Sequence, residues 1–117
     1  MPLIKVQSSV KSPDTAVVEE LLKTLSAKLA AHVGKPESYV MTVFEPGVSM
    51  SFGGTFAPVC YIEVKNIGTM NSSLTKSMSQ DFCQEVYDNL GVAKNRVYIE
   101  FTDAKGYLWG WNGSTFG

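Results

Sequence analysis

Arginine occurs once in this chain (Arg96), histidine once (His32) and cysteine only twice, at Cys60 and Cys83. Two thiols that far apart form neither a CxxC redox pair nor a zinc-ligand pattern, and they read as reduced structural cysteines. A formal net charge of −1 removes the electrostatic case for binding nucleic acid or an anionic membrane. No apolar run approaches the length that spans a bilayer. No apolar h-region follows the first residues, so no secretory signal is expected and the chain is placed in the cytoplasm. The N-glycosylation patterns at Asn71 and Asn112 are accordingly read as idle. His32 falls in the last turn of a helical pattern and is read as structural. The residues form no cluster that would hold a metal, and no cofactor is expected.

What is present describes a globular chain. At 117 residues with 44% apolar and 18% charged residues, it can bury one core, and one domain over 1–117 is expected. The chain repeats itself at an offset of 57 residues: Gly34 and Gly91 each end an amphipathic pattern and precede a β-rich run. At that offset Leu21, Leu25 and Leu29 fall on Met78, Phe82 and Val86, and Val40 falls on Val97. Each half reads strand, helix, strand. The first runs 2–6, 14–32 and 39–44; the second runs 59–64, 73–89 and 96–101. Apolar spacings of three and four residues define the helices, with Ser12-Pro13-Asp14 as a start signal. Glycine at 34 and 91 suits left-handed helix ends. The pseudo-repeats cover about 2–45 and 58–103, and an aromatic, glycine-rich tail follows at 106–117.

Two βαβ units in tandem predict an α+β fold: a four-stranded mixed sheet with both helices on one face. Segment 39–44 carries apolar residues on both alternating sets, Val40 and Phe44 against Met41 and Val43. Strands of that kind are usually covered on both sides, and no third layer exists in the chain. Self-association is the expected cover. An aromatic tail would likewise be a liability unless packed.

Pro2 stands directly behind Met1. Cells commonly remove an initiator methionine before a small residue, which would leave Pro2 with a free secondary amine. An α-amine titrates near pH ~7.7–8 in water, and an apolar pocket lowers that value by disfavouring the charged form. A fall from about 8 to about 6 raises the neutral fraction at pH 7 from roughly a tenth to roughly nine tenths. Such an amine is a general base at working pH. With Met1 in place, Pro2 is an amide and has no such role. Proline also tolerates strand starts for purely structural reasons.

Pro2, the doubled βαβ unit and several motifs together resemble the macrophage migration inhibitory factor family of the tautomerase superfamily. The motifs are Gly34-Lys35-Pro36, Met50-Ser51-Phe52-Gly53-Gly54, Ile67-Gly68, Asn95-Arg96-Val97-Tyr98-Ile99 and Gly110-Trp111-Asn112-Gly113-Ser114-Thr115-Phe116, in the family order along the whole chain. The resemblance implies a homotrimeric barrel with helices outside and an active site between subunits. It implies Pro2 as catalytic base, Lys35 as the substrate-carboxylate partner, and Ile67 as a backbone and wall contact. Tyr98 would come from the adjacent subunit, and Tyr39, Trp111 and Phe116 would line the rim. Glu100 replaces an amide residue usual in animal members, and Trp109 replaces a smaller rim side chain.

The structural readings stand beside these. Lys35 follows a helix C-terminus, where a cation meets the dipole favourably. Tyr98 could be strand packing, and the tail aromatics could be interface.

The resemblance implies a cofactor-independent keto–enol tautomerase of aromatic α-keto acids such as phenylpyruvate, with dopachrome-like substrates as a further class. The alternative is a cytokine-type interaction protein with a receptor-type partner, leaving the cell by a non-classical route and retaining residual tautomerase activity. Decarboxylase or dehalogenase chemistry, found elsewhere in the superfamily, needs arginines near Pro2, and Arg96 is the single one in the chain. Thiol-disulfide chemistry needs CxxC where this chain has Pro58-Val59-Cys60-Tyr61. In an insulin-reduction assay the protein should therefore show no turnover above a Cys60→Ser, Cys83→Ser double variant.

Overall fold

The computed structural model describes residues 1–117. Strand β1 (Leu3–Ser8) leads to helix α1 (Thr15–Val33) and strand β2 (Met41–Glu45). Strand β3 (Cys60–Ile67), helix α2 (Ser72–Leu90) and strand β4 (Val97–Ala104) repeat that order, and a hairpin of β5 (Gly110–Trp111) and β6 (Ser114–Thr115) follows. The four long strands form one sheet in the order β2-β1-β3-β4. Pairing is parallel within each half and antiparallel between β1 and β3 at the centre. This is the mixed α+β sheet that the repeat predicts.

Both helices start and stop for reasons legible in the residues. Asp14 caps α1 by accepting from the Val17 N–H at 3.2 Å, and Asn71 caps α2 by accepting from Leu74 at 2.8 Å. Gly34 and Gly91 end them with φ of 66° and 70°, a left-handed conformation that costs glycine little. One stripe of each helix (Leu21, Leu25, Leu29; Met78, Phe82, Val86) packs with Ile4, Val6, Ile62 and Val64 in a single core. Those strand residues share one sheet face, so both helices cover that face.

The opposite face differs from expectation. Met41 is exposed and Val43 half-buried there, as the alternation in β2 suggests, but the neighbouring strands fill the face with polar groups. Gln7 and Lys5 reach Glu45 at 3.1 and 3.5 Å, and the Tyr61 hydroxyl lies 3.2 Å from both Glu63 and Glu100, its one hydrogen shared between them. Partial burial, followed by the hydrogen bonds to and charges of these two glutamates, pushes the Tyr61 phenol up to about 12. The face is amphipathic rather than apolar.

Cys60 is buried on β3 and Cys83 half-buried on α2, both unpaired. Burial pushes both thiols up, which keeps them protonated and poor nucleophiles. A staple not foreseen from sequence fixes the link between the halves. Arg96 donates from Nε to the Pro58 carbonyl (2.9 Å), from Nη1 to the Phe52 carbonyl (3.4 Å) and Thr55 Oγ1 (2.8 Å), and from Nη2 to the carbonyls of Thr55 (3.2 Å) and Ala57 (2.8 Å). All five guanidinium N–H groups serve one loop.

The helices are tied across their seam by charge. Lys28 Nζ lies 2.6 Å from Asp81 and 2.7 Å from Glu85, and His32 Nε2 lies 2.8 Å from Asp81. Burial raises the Asp81 carboxyl, but hydrogen bonds from Lys28 and His32 outweigh it and hold the group below its ordinary value. A depressed carboxyl contributes stability above its unfolded pKa of about 3.9 and loses it as pH falls through the lower native value. Asp81→Asn should thus cost about 1 kcal/mol at pH 7 by denaturant unfolding, a difference that closes below the carboxylate range.

Candidate functional site

Pro2 sits at the head of β1, fully buried, with its carbonyl accepting from the Met41 N–H at 3.1 Å. In a strand, a residue's N and C=O face the same neighbour, so the Pro2 nitrogen lies toward β2. A cavity of about 430 Å³ opens there. Pro2, Tyr39, Trp109, Trp111 and Phe116 line it, so five of the nine residues expected in the site meet in one chain. Met1, Leu3, Val40 and Met41 line it as well. These were missed because they enter through the pairing of β1 with β2 rather than through any motif of their own.

The aromatic wall is built by two short devices. A 3-10 turn at Glu37–Tyr39 places Tyr39 just ahead of β2, which begins at Met41 rather than at residue 39 as expected. The tail hairpin, with Asn112 and Gly113 at φ of 51° and 75°, returns the chain so that Trp111 and Phe116 stack at 5.6 Å. Tyr39 meets both rings edge-on, at 5.5 and 6.2 Å. Gly106 anchors the hairpin: its carbonyl accepts from the Phe116 N–H at 3.2 Å, and a Cβ there would lie 2.7 Å from the Phe116 carbonyl oxygen. Only glycine permits that approach.

Lys35 follows the left-handed turn at Gly34, and its own N–H bonds the Ala30 carbonyl at 3.1 Å. Its Nζ donates to the Ile67 carbonyl at 3.0 Å, which joins two further residues expected in the site. The Met1 α-amine is lowered below its ordinary value by burial and then by the nearby Lys35 charge. The cation therefore acts on the chain terminus that holds Pro2. No group of three or more His, Cys, Asp or Glu side chains is arranged to hold a metal ion.

Tyr98 and Glu100 lie elsewhere in the chain. Both stand on the sheet face away from the helices. Tyr98 is 68% exposed, packs on Phe52 at 4.9 Å and borders a second cavity of about 420 Å³. Glu100 is exposed and accepts from Tyr61. Neither lines the cavity around Pro2 within one chain, and their alternation with the core-facing Val97 and Ile99 is the reason.

Comparison with known proteins agrees with this arrangement over its full length. The family model for macrophage migration inhibitory factor matches residues 1–117. A macrophage migration inhibitory factor homolog from Trichuris trichiura is 36% identical, covering 99% of this chain and 100% of that protein. The factor from Rattus norvegicus is 34% identical over 99% of both chains. The crystal structure of the homologue from Prochlorococcus marinus is 50% identical with a TM-score of 0.92, covering 98% of this chain and 99% of that one. With its doubled βαβ unit, buried Pro2 and aromatic tail, this chain belongs to the macrophage migration inhibitory factor family.

Proposed function

We propose that the protein is a cofactor-independent keto–enol tautomerase of aromatic α-keto acids of the phenylpyruvate type, with Pro2 as its base. The observation that carries this reading is the shared cavity: buried Pro2, one residue behind Met1, lines it together with three mutually packed aromatic rings. Family membership supports the reaction class.

Removal of Met1 gives Pro2 an amine in apolar surroundings beside the Lys35 cation. Both influences favour its neutral form near pH 7. That amine takes a proton from the carbon next to the ketone, and the electron pair of the broken C–H bond moves into the enolate. The resulting prolinium delivers its proton to the enolate oxygen, which completes the enol and restores the neutral amine. Lys35 pairs with the substrate carboxylate, exchanging its bond to the Ile67 carbonyl for a charge-assisted one. Tyr39, Trp111 and Phe116 enclose the aromatic ring and exclude water, with Trp109 narrowing the mouth.

The active assembly is a homotrimer, in which Tyr98 of an adjacent copy reaches the cavity. The exposure of Tyr98 and Met41, at 68% and 64%, and the open sheet face support this reading. Glu100 would enter the same junction; held by Tyr61, it adds negative charge there and disfavours anionic substrates. The relatives bear a signalling name, and a receptor-binding role is the second reading. The proline-lined cavity favours the catalytic one.

The mature protein should tautomerise phenylpyruvate, and Pro2→Gly should lower kcat/KM by about 10²–10⁴-fold while remaining folded. Lys35→Ala should raise KM about tenfold, the size of one charge-assisted hydrogen bond. Rates measured by absorbance decide both, and equal rates for Pro2→Gly would remove Pro2 as the base. Sedimentation at micromolar concentration should give roughly three times the 12.8 kDa chain mass; a monomer would contradict the shared site.

A further inference from the structure

One buried side-chain atom in the molecule has no hydrogen-bond partner: Asn66 Oδ1, on a residue only 4% exposed. Such an acceptor forfeits the hydration it had in the unfolded chain, so an unmatched one points to a missing donor. Its place identifies the donor. The antiparallel register of β1 and β3 runs from Ser8↔Cys60 to Leu3↔Lys65. One step further sets Asn66 opposite Pro2. The pair lies on the helix-covered face, in line with Ile4 and Val64, and directly opposite residues have Cα atoms about 4.5–5.5 Å apart. With the Pro2 backbone turned toward β2, the pair is a non-hydrogen-bonded one, in which side chains come closest, and one water can link Asn66 Oδ1 to the nitrogen on the far flank. With Met1 attached, the Pro2 nitrogen is a tertiary amide and carries no hydrogen. Removing Met1 creates a donor with one N–H when neutral and two when protonated.

We propose that Asn66 is a positioning residue for Pro2: once Met1 is removed, Asn66 Oδ1 accepts through one bridging water from the Pro2 amine and holds it at the cavity wall. The proposal rests on the reading of Pro2 as the base, and it supplies what that reading lacks. A base that only loses its proton easily is half a catalyst, because the prolinium must persist long enough to return the proton. Lys35 pushes the amine toward neutrality. An acceptor at Asn66 favours the protonated form and balances it. The other ionisable groups around the pair are Tyr39 across the cavity and Asp103, exposed on β4 in the same row as Asn66; Lys65 projects from the opposite face.

The test is a titration of the Pro2 amine by 15N-proline NMR in protein whose mass shows Met1 removed. Asn66→Leu, which fills the space without an acceptor, should lower the midpoint by about one pH unit and carry the acidic limb of the kcat/KM profile with it. A folded Asn66→Leu protein whose midpoint stays within about 0.2 of wild type overturns the proposal. If that variant does not fold, Asn66→Asp decides: beside Lys35 it should raise the midpoint, and an unmoved one again sinks the idea. The NMR midpoint does not depend on turnover. Full activity in Pro2→Gly would therefore discard the base reading while leaving the Asn66 contact to be judged by its own titration.

Discussion

The antiparallel pairing of β1 with β3 is the constraint on which the rest depends. Each βαβ half alone offers two parallel strands and one helix, too little to close a core. Joining β1 to β3 makes the sheet four strands wide and brings α1 against α2 on one face. A shift of this register by one residue would send Ile4, Val6, Ile62 and Val64 out of mutual contact and expose half the core. The register also sets what surrounds Pro2. β2 lies on its nitrogen side and β3 on the other, so the cavity forms at the strand head and nowhere else along β1. Site and core share one alignment.

Charge is distributed to match. The Lys28–Asp81–Glu85 group and His32 occupy the seam between helices, where they fix one helix against the other. Polar pairs on the far sheet face satisfy one another across strands. Near Pro2 the balance differs: a single cation, aromatic walls and one amide oxygen without a partner. The protein thus satisfies its polar groups elsewhere, and near Pro2 it leaves one buried acceptor without a protein partner.

Much of this was legible in the residues. The start of α1 followed from Ser12-Pro13-Asp14 and the ends of both helices from Gly34 and Gly91, because capping is a local interaction; the Asn71 cap went unread. The strand–helix–strand repeat followed from apolar spacing. Pro2, Lys35 and the aromatic rim were legible through motif order rather than through periodicity. Four other features were not. The tail hairpin has strands of two residues, too short for alternation to register. Arg96 entered only as part of a motif and as the single arginine, and its staple went unread because its five acceptors come from a loop whose shape only the folded chain defines. Asn66 sits at a core-facing position where a polar residue reads as a strand end, and its significance needs the partner strand. The polar far face was misjudged because β2 alone was read, while its neighbours carry the charges.

The cavity is assembled from residues far apart in sequence, residue 2 at one side and residue 116 at the other. The core residues all precede residue 106, so the sheet and helices can pair without the tail hairpin. The cavity cannot. Folding of the core alone is therefore a stage in which the proline wall stands open to water. Any truncation that spares the core but removes Trp111 and Phe116 would hold the protein at that stage.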